Sequence, residues 1–182
     1  MPRIPLPAPE EMNPEQRRVY EAIVGGPRGR LVGPLRAALH RPELADKWQQ
    51  FGELLRYRTA LPPKLSELAI LVTARHTQSN LEWHIHEQMA LKAELPSDII
   101  ADIFAQRRPH NADADMLAIY DYAFELNEKN TVSDETHKRV TERFGVIAVV
   151  ELTALVGYYT MVAMTLNAHQ IPLPDGATPV FK

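Results

Sequence analysis

Of the 15 prolines in this chain of 182 residues, only Pro96 and Pro109 fall between residues 64 and 171. Proline breaks a helix interior, so so long a stretch with so few of them can be helical throughout. Its apolar residues recur at helical spacing, which predicts an all-α fold. Asn13-Pro14 reads as an N-cap with proline at the first helical position, opening a helix to about Val24. Gly25 to Gly33 reads as a loop. Further helices are predicted over 42–57, with Leu44, Trp48, Phe51, Leu54 and Leu55 in one stripe, and from Pro63 to about His76. A Ser79 or Asn80 cap opens the next, through Ala93, and Pro96-Ser97 opens a short one to Gln106. Asn111 is read as the cap of a helix to Glu128, with Leu117, Tyr120, Ala123 and Phe124 inward. Ser133 with Thr136 starts a polar helix to Phe144, and Gly145 separates it from an apolar one over 146–167. The chain is expected to be a single domain over 1–182, with an extended N-terminal arm at about 1–12 and an irregular tail at about 170–182.

Composition removes whole classes of function. The chain has no cysteine. That excludes a disulfide framework, thiolate zinc, an iron–sulfur cluster and any thiol redox cycle. Twenty basic residues against 23 acidic ones leave a net charge of −3. No basic excess is present to neutralise phosphates, so no nucleic-acid partner is expected. Four prolines within Met1 to Pro9 forbid the apolar run of a signal peptide, and the arm is expected to run extended along a surface. Val146 to Leu166 is largely apolar and carries one charge, Glu151. It is read as a helix of the core or of a subunit interface and not as a membrane span, and a cytoplasmic homo-oligomer is expected. Walker, Gly-x-Gly-x-x-Gly, Gly-x-Ser-x-Gly and His-Glu-x-x-His motifs are all missing.

The unusual chemistry lies between Glu67 and His86. Glu67 sits among Leu68, Ile70 and Leu71, so a helix packed on most sides would bury it. A buried carboxylate must find a partner or hold its proton. Ser79, Glu82 and His86 recur at i, i+3 and i+7, on one helix face, with Trp83 at its border. If the two helices pair antiparallel, Glu67 approaches His86, and a carboxylate–imidazole couple with a second carboxyl one turn away can transfer protons. The alternatives are a surface Glu–His interaction and a metal site of Glu67, Glu82 and His86. The Glu-x-x-His di-iron spacing is not met, because Ile85 follows Glu82 at i+3. No metal and no cofactor are expected. Arg56, Tyr57 and Arg58 end a helix and face either an anionic substrate or solvent. Tyr158, Met161 and Met164, with Tyr159 beside them, read as core or interface. Glu67–Val72 is echoed by Glu151–Val156, each followed later by a histidine, His86 and His169, in the manner of a duplicated hairpin.

Glu67-Leu-Ala-Ile-Leu and Glu82-Trp83-His84-Ile85-His86-Glu87-x-x-Ala90 together resemble the carboxymuconolactone decarboxylase family, within the alkylhydroperoxidase D-like superfamily. The core likeness spans roughly residues 41–125. Gly25-Gly-Pro-Arg-Gly29, Gly33-Pro-Leu-Arg36, Leu55-Arg-Tyr-Arg58 and Gly157-Tyr-Tyr-Thr160 look like a longer, cysteine-free branch. The resemblance implies an all-α fold around a helical hairpin, assembled as trimers or hexamers. Peroxidase-like members carry a Cys-x-x-Cys pair where Ser79 and Glu82 stand here, and a serine and a carboxyl cannot cycle through a disulfide. Thiol peroxidase activity is thereby excluded.

The resemblance further implies a cofactor-independent lyase acting on a small carboxylated lactone or acid from aromatic catabolism. Glu67, Glu82 and His86 would be catalytic. His86 or a neutral Glu82 would deliver the proton, and Glu67 would orient the imidazole. Trp83, Arg58, Tyr57, Arg36 and Ser79 would bind substrate, with Arg58 or Arg36 gripping its retained carboxylate. Glu94 departs from the family, standing where a helix-ending glycine is usual. The alternative function is a non-catalytic helical oligomer that binds a small ligand or partner.

Overall fold

A computed structural model describes residues 1–31 and 33–182, and among these it contains α-helices, a short 3-10 turn at Pro9–Glu11 and no strand. The helices are α1 (Pro14–Gly25), α2 (Gly33–Ala38), α3 (Pro42–Tyr57), α4 (Pro63–His76), α5 (Asn80–Lys92), α6 (Ser97–Phe104), α7 (Ala114–Lys129) and α8 (Asp134–His169). The described residues are all-α, as the helical periodicity predicts.

α4 is the axis of the fold. Every residue from Leu65 to Ala74 is buried, and α5, α6, α7 and α8 all pack on it. A helix apolar on all sides can be stable in water only inside such a collar. Glu67 is the third residue of this run. Pro62 and Pro63 begin α4, and Glu151 of α8 fastens its approach by accepting hydrogen bonds from the Thr59 hydroxyl (2.9 Å) and the Ala60 amide (2.7 Å). The Glu151 repeat therefore does not reproduce a second carboxylate–histidine couple. It anchors the chain that leads into the first one.

Several local expectations are corrected. The cap of α7 is Asp113, whose carboxylate accepts from the Asp115 and Met116 amides, while Asn111 instead donates to Asp98. Phe124 is 39% exposed, and Met116, Ile119 and Tyr122 fill the inward face beside Tyr120 and Ala123. α2 interrupts the predicted connection between α1 and α3. In α3, Trp48 and Leu55 are buried but Leu44, Phe51 and Leu54 are exposed. The predicted apolar stripe is thus split between core and surface. α8 is also two-faced. By length and composition it could cross a membrane, and 50% of its most apolar window is buried against the chain. Val146, Ile147, Val150 and Met164 are left exposed.

The terminal segments lie on the chain itself. The Arg3 amide donates to the His169 carbonyl (2.9 Å), His40 meets the Pro5 carbonyl (2.8 Å) and Arg36 donates to that of Leu6 (3.2 Å). At the other end, the Asn80 side chain accepts from the amides of Val180 (2.7 Å) and Phe181 (2.8 Å). Glu94 ends the α5 region in the left-handed region, at φ 61°, where a glycine would sit without strain.

Ser133 caps α8 by accepting from the Thr136 amide (3.2 Å), and Gly145 divides the helix at φ 82°, ψ 168°. That backbone conformation is essentially restricted to glycine. We expect Gly145→Ala to lower unfolding free energy by about 1–3 kcal/mol, read from urea denaturation midpoints at unchanged slope. An unchanged midpoint would mean that the bend does not need the glycine.

Candidate functional site

α4 and α5 form a tight antiparallel pair closed by the Thr77–Ser79 turn, and that pairing brings Glu67 to His86. The His86 Nδ1 lies 2.7 Å from Glu67 Oε2, with side-chain exposures of 6% and 12%. With Glu67 as the carboxylate, Nδ1–H donates to it, and the Nε2 lone pair is left toward the interior cavity that His86 lines. The Tyr159 ring of α8 stands edge-on to the imidazole, at 4.8 Å between centroids. The ring is therefore fixed in tautomer by the carboxylate and in orientation by the aromatic neighbour.

Glu82, one turn earlier on α5, lines the same cavity. It is 2% exposed and neither carboxyl oxygen has a hydrogen-bond partner. Burial pushes this carboxyl well above the usual carboxylate range, and the neighbouring Ser79 hydroxyl pulls the other way without reaching hydrogen-bonding geometry. Burial thus favours the protonated form of Glu82, held beside the imidazole that is paired to Glu67.

Two arginines and two tyrosines complete the wall: Arg28 from the loop after α1, Arg56 from α3, and Tyr158 and Tyr159 from α8. Burial works against the Arg56 charge, but Tyr159, Tyr57 and Glu67 more than offset it and hold the guanidinium above its usual range. Burial raises both tyrosine hydroxyls, that of Tyr159 well above its usual range, so both remain protonated. Arg28 donates weakly to the Tyr158 hydroxyl (3.4 Å), and a β-carbon at Gly52 would overlap both groups. Gly52 thus gives up its side chain so that Tyr158 and Arg28 can occupy the space. The cavity measures about 50 Å³. That is room for a few water molecules, each of which needs about 10–15 Å³.

Of the residues singled out from sequence, the fold joins Glu67 to His86 and sets Glu82 and Ser79 beside them. The other residues expected to bind substrate do not line this cavity. Trp83 points away from the cavity and packs edge-on to Phe104 (5.3 Å) and Phe181 (5.6 Å), as a core anchor. Arg58 is exposed and reaches Glu53 (3.7 Å), and Tyr57 is 43% exposed under the Arg56 cation. Arg36 lines a separate groove. The cations that line the cavity are Arg56 and Arg28. The first is among the helix-end residues that read as facing either an anionic substrate or solvent, and the rotation of α3 turns it, and not Arg58, to the cavity. Nothing in the Gly-rich loop signals the second. No cluster of three His, Asp or Glu residues able to hold a metal occurs among the described residues.

Because the folded state favours protonated Glu82, its stabilising contribution is fully present below about pH 4.5 and is lost as pH rises through the folded value. We expect the denaturation midpoint of the wild type to fall relative to that of Glu82→Gln as pH is raised from 5 toward 8. Parallel profiles for the two proteins would show that Glu82 is an ordinary carboxylate.

Residues 42–125 match the profile of the Carboxymuconolactone decarboxylase family. No curated protein matches the chain. Among solved structures, an uncharacterized peroxidase-related protein with an alkylhydroperoxidase AhpD core from Ralstonia eutropha JMP134 superposes with a TM-score of 0.79 at 14% identity, over 96% of this chain and 93% of that one. The debrominase Bmp8, solved with 2,3,4-tribromopyrrole, superposes with a TM-score of 0.69 at 13% identity, over 89% and 87%. At such identities the likeness establishes the fold, an alkylhydroperoxidase D-like helical architecture.

Proposed function

We propose that the chain, whose residues 42–125 match the carboxymuconolactone decarboxylase family and whose fold is alkylhydroperoxidase D-like, is a member of that family and a cofactor-independent decarboxylase of a small carboxylated lactone or acid. The observation that supports this most is the buried Glu67–His86 hydrogen bond at 2.7 Å with a neutral, unpartnered Glu82 on the same cavity. A carboxylic acid kept protonated at neutral pH is a proton donor waiting for a basic carbon.

The chemistry requires no redox partner. The bond between the departing carboxylate and its carbon breaks, and its electron pair passes to that carbon, delocalised into an adjacent carbonyl. Carbon dioxide leaves, and the Glu82 proton forms the new C–H bond. A solvent proton then returns to Glu82 by way of His86, whose transient imidazolium is stabilised by the Glu67 carboxylate, so that each turnover consumes one proton from solution. Arg28 and Arg56 are the cations available to hold a second carboxylate or the developing enolate oxygen. With no cysteine in the chain, a disulfide cycle is chemically closed.

The small cavity favours one other reading, a helical oligomer that binds a ligand without turnover. A screen of purified protein against lactone carboxylates and β-keto acids, reading carbon dioxide release, separates the two. Turnover is expected in the wild type and is expected to fall about 10²–10⁴-fold in Glu82→Gln and His86→Gln, with the fold intact by circular dichroism. Carbon dioxide release that survives both substitutions would refute the proton-transfer role.

The exposed apolar residues of α3 and α8 are proposed as a self-association surface, giving a trimer or hexamer. Leu54, Ile147 and Val150 are all exposed, and exposed apolar residues on a helix face are what a subunit interface covers. Sedimentation is expected to give a multiple of the 20.6 kDa chain that Ile147→Glu with Val150→Glu dissociates. A monomeric wild type would overturn this.

A further inference from the structure

The cavity shares a wall with a much larger space. Leu81 and Ile85 of α5 line both the small cavity of about 50 Å³ and a groove of about 820 Å³. Leu81 is 7% exposed and meets the start of α2, where a β-carbon on Gly33 would lie 3.6 Å from its Cδ2. The partition is therefore one layer of aliphatic side chains closing on a residue that has none.

The two sides of the partition differ in chemistry. On the inner side, the Glu82 oxygens and the hydroxyls of Tyr159 and Ser79 are buried without partners. Native interiors rarely leave so many polar atoms unpaired unless water or a ligand meets them. On the outer side, Arg30 and Arg36 border a floor that includes Met89 and Leu173, with His84 nearby and Asp175 as the acidic residue of the lining. Cations beside hydrocarbon fit an amphipathic anion. The segment from Ile171 to Asp175 walls the groove and is continuous with the tail fastened by Asn80.

We propose that this groove is a second compartment of the site that holds the body of an amphipathic carboxylate, with Leu81 and Ile85 as the partition through which its reacting end reaches Glu82. The inference rests on the decarboxylase reading for what happens at that end, but the groove's binding chemistry stands apart from turnover. The enclosed cavity accepts only a few heavy atoms. Any substrate larger than that must leave most of itself in the groove, so Arg30 and Arg36 select for a remote charge and the partition selects for what can pass it.

The test uses octanoate and 1-octanol as probes on the full chain with methyl-labelled Ile, Leu and Met. Octanoate is expected to shift the methyls of Ile85, Met89 and Leu173, with affinity about tenfold lower in Arg30→Ala or Arg36→Ala and with octanol weaker by a similar factor. Diethyl pyrocarbonate reads the partition, because peptide mass spectrometry reports His84 in the groove and His86 in the cavity separately. Ile85→Ala, or Leu81→Ala as a second variant, is expected to speed His86 modification several-fold while the His84 rate stays constant. Octanol binding as tightly as octanoate, shifts confined to the exposed methyls of Leu54 and Met164, or a His86 rate indifferent to both variants would each overturn the proposal. Groove binding that persists when no carbon dioxide is released would count against the decarboxylase reading and leave the groove standing.

Discussion

The hydrogen bond between Glu67 and His86 is the constraint on which the remaining architecture depends. A carboxylate in the middle of a helix buried on every side cannot be solvated, and leaving it unpaired costs several kcal/mol. The α4–α5 pair must therefore close in the one register that brings His86 Nδ1 to it. Once that register is set, Glu82 follows one turn earlier on the same face of α5 and comes to lie on the cavity. α8 closes the site with Tyr158 and Tyr159, and Glu151 on the same helix fastens the chain that enters α4. Core packing and the arrangement of proton-bearing groups are in this sense a single solution.

The site also holds groups that a purely structural core would not keep. Glu82 has no partner for either oxygen and Tyr159 none for its hydroxyl. Each such group costs on the order of 1–3 kcal/mol when buried. Unsatisfied polar atoms gathered round one cavity, with two arginines facing it, form an environment poised for a ligand that bears acceptors and negative charge. Gly52 belongs to the same arrangement, since its missing side chain makes room for Tyr158 and Arg28.

Much of this was legible in the chain because it rests on periodicity and on the cost of burying charge. The boundaries of α3 and α4 follow their prolines, the bend at Gly145 follows its glycine, and the meeting of Glu67 with His86 follows from two helices with a short turn between them. What sequence reasoning missed has equally physical causes. Trp83 borders the Glu82 face by spacing, but an aromatic ring goes where it buries most area, and Phe104 and Phe181 offer that on the other side. Arg58 and Arg56 are indistinguishable by composition, and only the rotation of α3 decides which one turns inward. Arg28 sits in a loop whose path no periodicity describes. The apolar stripes of α3 and α8 are real, but hydrophobicity alone cannot separate a face that meets its own chain from one left exposed.

The central claim is that the Glu67 carboxylate fixes His86 with its proton on Nδ1 and a bare Nε2 turned to the cavity. Nitrogen-15 NMR of histidine-labelled protein at neutral pH, with His86 assigned by its loss in His86→Gln, tests this most directly. The account predicts a single Nδ1–H tautomer whose proton exchanges slowly and whose signature disappears in Glu67→Gln. A His86 resonance averaged over both tautomers like an exposed imidazole, or one protonated on Nε2 alone, would contradict it.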